Sequence, residues 1–339
     1  MNLLFTSAGR RDYLIEYFVE ALGGHGRIHV GNSDPLCCAF TVGDAHVVTP
    51  PIHSSEYLPF LHDYCRRERI DAILPLFDID VTVLSSVRDD FAEQGVILIV
   101  PKPQAAWLCS DKWRMYEALC TAGIGTPTTF LDLEVAIYAV AQGEVTFPLI
   151  IKPRFGMGSI GLMQAEDADE LRFLYQLVRR QVFCSHLHHD SASEPDACVL
   201  IQERVRGAEY GLDVLNDLLG RHVVTVAKRK LAMRSGETDV ATTENWPNLS
   251  ELGARLGGLL GHVGNLDVDL FVNGPHVSVL DLNCRFGGGY LFTHAAGANF
   301  PAAIVAWLRG LEPDPKCFLA NSGVTALKSI RPLLVATRS

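Results

Sequence analysis

Residues Val279–Gly289 read VLDLNCRFGGG, an apolar run of strand character interrupted by Asp281 and Asn283 and closed by Arg285 and three glycines. Side chains two apart on a strand share a face, so Asp281 and Asn283 point the same way although Val279, Leu280 and Leu282 surround them. Just upstream, LDVDLFV (Leu266–Val272) reads as a second strand, and Asn273-Gly274-Pro275 between the two is turn chemistry for a hairpin. That hairpin brings Asp269 across from Asp281 and Asn283. Three oxygen donors without imidazole or thiolate suit magnesium, which keeps several waters and takes phosphate oxygens as further ligands. Arg285 is placed to neutralise a transferring phosphoryl group, and Gly287, Gly288 and Gly289 clear side chains from where a substrate must approach. The plainer alternative is the polar outer face of an antiparallel strand, which fits poorly with an acid set among so many aliphatic residues.

Two stretches further upstream carry complementary chemistry. IIKPRFGMGSIG (Ile150–Gly161) is a strand ending in Lys152, followed by a loop with Gly156, Gly158 and Gly161. Glycines let backbone N–H groups approach a polyphosphate, and Lys152 adds a cation. No Gly-Lys-Ser/Thr closes the loop and no helix follows at once, so it is not a Walker A loop; a plain glycine turn between two strands is the alternative. LIQERVRGAEYGLDVL (Leu200–Leu215) sets Glu203 at the end of an apolar run, with Glu209 and Asp213 on the next strand. Such acids suit an adenine amine or ribose hydroxyls, or else they are solvated strand ends. Arg10 and Arg11 follow the first strand, at the edge where open parallel sheets hold ligands; an anionic substrate group and a solvated helix start both fit. Asp78 and Asp80 share that ambiguity. His186, His188 and His189 sit in a turn-rich stretch without a periodic partner and resemble a metal cluster only superficially.

The rest of the chain gives the frame. LLFTSAGR, RIHVGNSD, DAILPLF and GVILIV read as strands separated by helices in RDYLIEYFVEALG, YLPFLHDYCRRE and the stretch after Asp78. This alternation predicts a parallel, Rossmann-like sheet over residues 1–108. A second unit, 109–196, opens with a helix in SDKWRMYEALCTAG, for which Ser110 is the expected N-cap. It continues with the strand FPLIIKP, the helix ADELRFLYQLVRRQ and an exposed loop, HLHHDSASEPDA. A third unit, 197–339, holds CVLIQERV, AEYGLDVL and HVVTVAKRK as successive strands of a largely antiparallel sheet. The helix NLSELGARLGGLLG, the metal hairpin and the helix FPAAIVAWLRG complete it.

With 339 residues, 20% charged and 48% apolar, the chain is globular and large enough for two or three cores. Its net charge of −10, from 29 basic and 39 acidic residues, argues against a nucleic-acid partner. No apolar run is long enough to span a bilayer. MNLLFTSAGRRDYL has no basic region before its apolar stretch and no plausible cleavage site, so no signal peptide is read. Nine scattered cysteines without a CxxC pair point to reduced thiols and a cytoplasmic protein.

Taken together, Ser110-Asp111-Lys112, FPLIIKPRFGMGSIG, IQERVRGAEYGLDV and NLDVDLFV with VLDLNCRFGGG resemble, in order and spacing, the ATP-grasp superfamily, and within it the carbamoyl phosphate synthase large subunit and related amino-acid ligases. The resemblance covers nearly the whole chain. It implies an α/β (α+β) ATP-grasp fold behind a Rossmann-like pre-domain, with ATP between two antiparallel sheets under a glycine-rich lid. Carried over, Lys112 and Lys152 contact the phosphates, and Gly156 to Gly161, with Gly158 and Ser159, form the lid. Gln202, Glu203 and Val205 form the adenine hinge and Glu209 lies near the ribose. Lys228 or Lys230 approaches the phosphates. Asp269, Asp281 and Asn283 hold magnesium, or manganese in its place, with Arg285 on the acyl phosphate. The family usually has Glu where Asp281 stands and Gln or Glu where Asp269 stands, and the shorter side chain draws the carboxylate back by about 1.5 Å. Arg204 and Arg206 replace a lysine often seen near the hinge.

The expected activity is ATP-dependent ligation of a carboxylate to an amine through an acyl phosphate, with amino-acid-like substrates and a homodimer implied by the resemblance. The rivals are a carboxylate or carbamate kinase, which releases ADP without an amine, and an ATP sensor that makes no bond. An NAD enzyme ranks last, since TSAGRR lacks Gly-x-Gly-x-x-Gly.

Overall fold

A computed structural model describes residues 1–156, 161–185, 187–330 and 332–333. Its first layer is a five-stranded parallel sheet in the order β3-β2-β1-β4-β5. The strands are β1 (Asn2–Thr6), β2 (Arg27–Asn32), β3 (Ala45–Val48), β4 (Ala72–Pro75) and the two-residue β5 (Ile97–Leu98), linked by α1 (Asp12–Leu22), α2 (Tyr57–Glu68), α3 (Asp78–Ser86) and α4 (Arg88–Glu93). Both faces of β1 are apolar because both are covered, as parallel sheets require. Leu3 and Phe5 pack toward Phe18 of α1, whereas Leu4 packs with Tyr57, Leu61 and Phe91 of α2 and α4. The expected strand GVILIV contributes only Ile97–Leu98, and β3, whose residues alternate half-buried and exposed, lies at an edge.

After α5 (Pro103–Ser110), helix α6 (Lys112–Thr121) begins. Its N-cap is Asp111, which accepts from the Trp113 and Arg114 amides, while Ser110 is the last residue of α5; the expected cap is one residue early. A carboxylate one residue nearer the helix satisfies the free N–H groups that Ser110 was expected to take. The next sheet, β6-β9-β7-β8, comprises β6 (Thr129–Phe130), β7 (Leu149–Pro153), β8 (Met163–Ala165) and β9 (Val199–Glu203). Helices α7 (Leu133–Ala141) and α8 (Ala168–Phe183) cover it, burying Ala136, Leu171 and Val178 against Leu149, Ile151 and Ile201. The stretch expected as a loop includes the short helix α9 (His188–Ser191).

The third sheet is antiparallel, in the order β14-β13-β10-β11-β12-β15. It comprises β10 (Ala208–Asn216), β11 (His222–Arg234), β12 (Glu237–Glu244), β13 (Gly264–Asn273), β14 (His276–Asn283) and β15 (Thr325–Leu327), with α10 (Pro247–Leu260) between β12 and β13. Strand β9 pairs with β7 and not with β10, so CVLIQERV belongs to a different sheet from AEYGLDVL and HVVTVAKRK. Apolar periodicity marks a strand but not its neighbour, which explains the difference. Helices α11 (Tyr290–Ala295) and α12 (Phe300–Leu308) return to the first layer, where Tyr290, Phe300 and Ile304 join the core of Leu3, Phe5 and Phe18. The parallel sheet and the six-stranded sheet thus share one apolar core. The carboxyl edge of the first consequently faces the polar face of the second.

Candidate active site

On β13 and β14, Asp269 stands directly opposite Asp281 and Asp267 opposite Asn283. The turn residue Gly274 has φ +58°, as the Asn-Gly-Pro reading requires. Asp269 also faces Gly211 of β10, which in turn faces Lys228 of β11. A Cβ at Gly211 would lie 3.3 Å from Lys228 Cε and 3.5 Å from Lys230 Cε. The missing side chain lets Lys230 reach over β10, and its Nζ lies 2.7 Å from Glu209 and 2.5 Å from Asp269. Burial pulls the Lys230 ammonium down, but Asp269 and Glu209 outweigh it and hold its pKa above the ordinary lysine value.

Lys112, the first residue of α6, donates to both oxygens of Asp281 at 2.8 and 2.7 Å. Its cap, Asp111, takes the fork of Arg154 at 2.7 Å from Nε and 2.6 Å from Nη2. Arg154 follows β7, so this buried pair ties the end of β7 to the start of α6 and brings Lys152 and Lys112 to one cavity. Lys152 Nζ donates to Gln202 Oε1 at 2.8 Å, Gln202 Nε2 donates to Thr129 Oγ1 at 2.8 Å, and Thr129 Oγ1 donates to the Pro127 carbonyl at 2.8 Å. Because the Thr129 hydroxyl proton is committed to Pro127, the threonine accepts from Gln202 and the amide oxygen faces the lysine. Lys152 is therefore oriented by a neutral acceptor. Burial, and then Lys112, push its ammonium pKa down to about 8.

These residues border two adjoining cavities. The larger, about 580 Å³, is walled by Lys112, Lys152, Gln202, Glu203, Val205 and Glu209 and floored by Phe271 and Leu280. The smaller, about 400 Å³, lies between the parallel sheet (Arg10, Arg11, Tyr13, Asp78) and Lys228, Asp267, Asn283, Arg285, Gly288 and Gly289. Lys230, Gly236, Asp269 and Asp281 line both. Arg285 pairs with Asp78 at 2.8 Å and Asp267 at 3.6 Å. Burial lowers that guanidinium, and Asp78 and Asp267 outweigh it, so its pKa is raised. Asp267 is pushed up to about 7, by burial first and then by Asp269, against the pull of Arg285.

Of the residues singled out in the sequence, Lys112, Lys152, Gly156, Gln202, Glu203, Val205, Glu209, Asp269 and Asp281 border the larger cavity, and Asn283 and Arg285 border the smaller. Lys228 touches the smaller cavity but is 1% exposed, ion-paired to Asp213, whose second oxygen takes Asn265 at 3.2 Å; of the two lysines, Lys230 reaches Asp269. Gly161 (φ +70°) lies against Pro153, and Gly158 and Ser159 lie outside the described residues, as does His186. Asp80 is buried on Tyr57 and Ser7. His53, His188 and His189 stack on one another. Among the described residues no three His, Cys, Asp or Glu side chains converge as a metal cage. Asp269 and Asp281, which line both cavities, and Asn283, which lines the smaller, offer the oxygen donors of an ion that completes its shell with phosphate and water and would displace Lys112 and Lys230 from the carboxylates, so the residues fit magnesium. Asp267, Tyr13, Glu237 and Lys328 were not anticipated. Asp267 was within reach, since it shares a strand face with Asp269 two residues on; Glu237 and Lys328 meet only through the β12–β15 pairing and leave no local signal.

This architecture of facing carboxylates and paired antiparallel sheets defines a class, and the chain belongs to the ATP-grasp family: residues 109–289 match the ATP-grasp domain. Residues 3–99 match the PylC-like, N-terminal domain, which places the parallel sheet as well. The carbamoyl phosphate synthase large chain of Pasteurella multocida (strain Pm70) is 31% identical over 265 residues, 71% of this chain and 23% of that one. The chain thus spans less than a quarter of that relative. Among solved structures, a biotin carboxylase from Campylobacter jejuni, in a β-γ-ATP complex, superposes with a TM-score of 0.75 at 15% identity over 94% of this chain and 73% of the other. An L-amino acid ligase from Bacillus licheniformis does so with a TM-score of 0.65 at 16% identity over 92% and 74%. Both likenesses are of fold. No helix among the described residues is long and apolar enough to cross a membrane.

Proposed function

We propose that the chain is an ATP-dependent carboxylate–amine ligase. One observation carries this reading: the two cavities open onto the same pair of facing carboxylates, Asp269 and Asp281. A nucleotide in the larger cavity and a carboxylate in the smaller would meet there. Glu203 and Val205 would border the base, Glu209 the ribose, and Lys112, Lys152 and Lys230 the phosphates. Magnesium, held by Asp269, Asp281 and Asn283, would supply charge neutralisation between the phosphates.

A carboxylate oxygen of the substrate attacks the γ-phosphorus of ATP in line. The new O–P bond replaces the bond to the β,γ-bridging oxygen, and ADP leaves. Lys152 and Arg285 offset charge on the equatorial oxygens. The amine nitrogen then attacks the acyl carbon, phosphate departs with the acyl oxygen's bonding pair, and the nitrogen loses a proton. Water must be kept from the acyl phosphate, a task for the loop at Gly156–Gly161. Amino-acid-like partners fit a small polar cavity. Lys152→Ala and Asn283→Ala are each expected to abolish ADP release with the far-ultraviolet circular dichroism unchanged; turnover retained in both would contradict the assignment. ADP formed equally well without any amine would place the protein with carboxylate kinases.

A further inference from the structure

The smaller cavity is lined mainly by charged and polar side chains and by glycines, with Tyr13 and Phe77 as its large aromatic side chains. Its cations are nearly all matched. Arg285 is held by Asp78 and Asp267, Lys230 by Glu209 and Asp269, Lys228 by Asp213, and both Lys328 and Arg10 by Glu237. Arg11 differs. It caps α1 at the carboxyl edge of the parallel sheet, and its Nη1 donates to the Leu76 carbonyl. No carboxylate among the described residues ion-pairs with it.

We propose that Arg11 is a recognition site for a second carboxylate on the substrate, so that the acid activated here is a small dicarboxylic acid or acidic amino acid. The inference rests on the ligase reading for the location of the reacting carboxylate. A guanidinium half-removed from water without a counter-ion is costly, and a bound carboxylate offsets that cost with charge-assisted, two-pronged hydrogen bonds. Burial first, then Arg285, lower the Arg11 pKa, and Asp78 and Asp267, both already paired to Arg285, offset this only in part. A single guanidinium matches one singly charged carboxylate better than a dianionic phosphate. The cavity, at about 400 Å³, lies in the range of small-ligand sites.

The test is ADP release by the full chain with ATP and magnesium, supplying glutamate, aspartate, alanine, leucine or phosphoserine as the acid and a fixed amine mixture. Glutamate or aspartate should exceed alanine and leucine at least tenfold in kcat/KM. Arg11→Gln should erase that preference, raising KM for the diacid at least tenfold while ATP affinity, measured by calorimetry, stays unchanged. Leucine or alanine used as well as glutamate, phosphoserine preferred over both diacids, or no release with either diacid while ATP binds would each overturn the proposal. If ATP itself does not bind, the ligase reading fails instead. The wild-type panel does not depend on how well the Arg11 variant folds, and Arg11→Lys, which keeps the charge, should restore part of the preference.

Discussion

Gln202 illustrates how much a single neutral side chain decides. It directs Lys152 at the larger cavity without cancelling its charge, because an amide oxygen accepts from the ammonium without carrying a formal charge of its own. With a pKa near 8, Lys152 is charged at neutral pH, and ATP affinity should decline as pH rises through 8. Gln202→Glu replaces the amide with a carboxylate, which raises the lysine pKa and partly neutralises it. The expected outcome at pH 7 is a KM for ATP raised several-fold, a lowered kcat because Lys152 also offsets charge on the transferring phosphoryl group, and an alkaline limb displaced to higher pH. A KM effect without movement of that limb would reduce Gln202 to a packing residue. The sign for stability is opposite. Between pH 8 and the ordinary lysine value of 10.5, the folded chain has lost a proton that the unfolded chain keeps, so Lys152 makes the ligand-free protein more stable as pH rises through that window.

Among the elements, β7 and α6 are joined by the buried Arg154–Asp111 fork, reinforced by Glu194 at 2.7 Å from Arg154 Nη1. Removing one partner of such a pair strands a buried charge, typically at a cost of about 3–5 kcal/mol. Arg154→Met is therefore expected to lower the thermal midpoint clearly and to weaken ATP binding as well, since Lys112 and Lys152 lose their common anchor. Calorimetry of unfolding and of nucleotide binding reads both; a variant with unchanged stability would show that the fork is not the tie described. This fork was not legible in the sequence. Arg154 and Asp111 are far apart along the chain, and Arg154 read as part of a glycine loop. The hairpin itself was legible from two-residue alternation and the Asn-Gly-Pro turn, but its register was not: the turn alone would pair Asp269 with Leu280, and an irregularity between Asp269 and Leu270 brings Asp281 opposite instead. Strand β9 was recognised as a strand but placed in the wrong sheet, since sheet membership is a tertiary fact. Asp111 displaced Ser110 as the helix cap because its carboxylate serves the α6 amides and Arg154 at once.

At the scale of the molecule, the chemistry depends on two layers meeting. Strand–helix alternation predicts the parallel sheet and the motif order predicts the antiparallel sheets, but neither shows that Tyr290, Phe300 and Ile304 would weld the last helices to the first strands. That shared core sets the carboxyl edge of the parallel sheet over Arg285 and creates the smaller cavity, including the Asp78–Arg285 pair across it. The central claim is that one carboxylate pair serves a nucleotide on one side and an acid on the other. The most direct measurement is a crystal structure of the protein with magnesium and a non-hydrolysable ATP analogue. The account predicts the adenine beside Glu203 and Val205, the ion on Asp269, Asp281 and Asn283, and the γ-phosphate at the junction of the two cavities. A nucleotide bound elsewhere, or an ion that touches none of those three side chains, would contradict it.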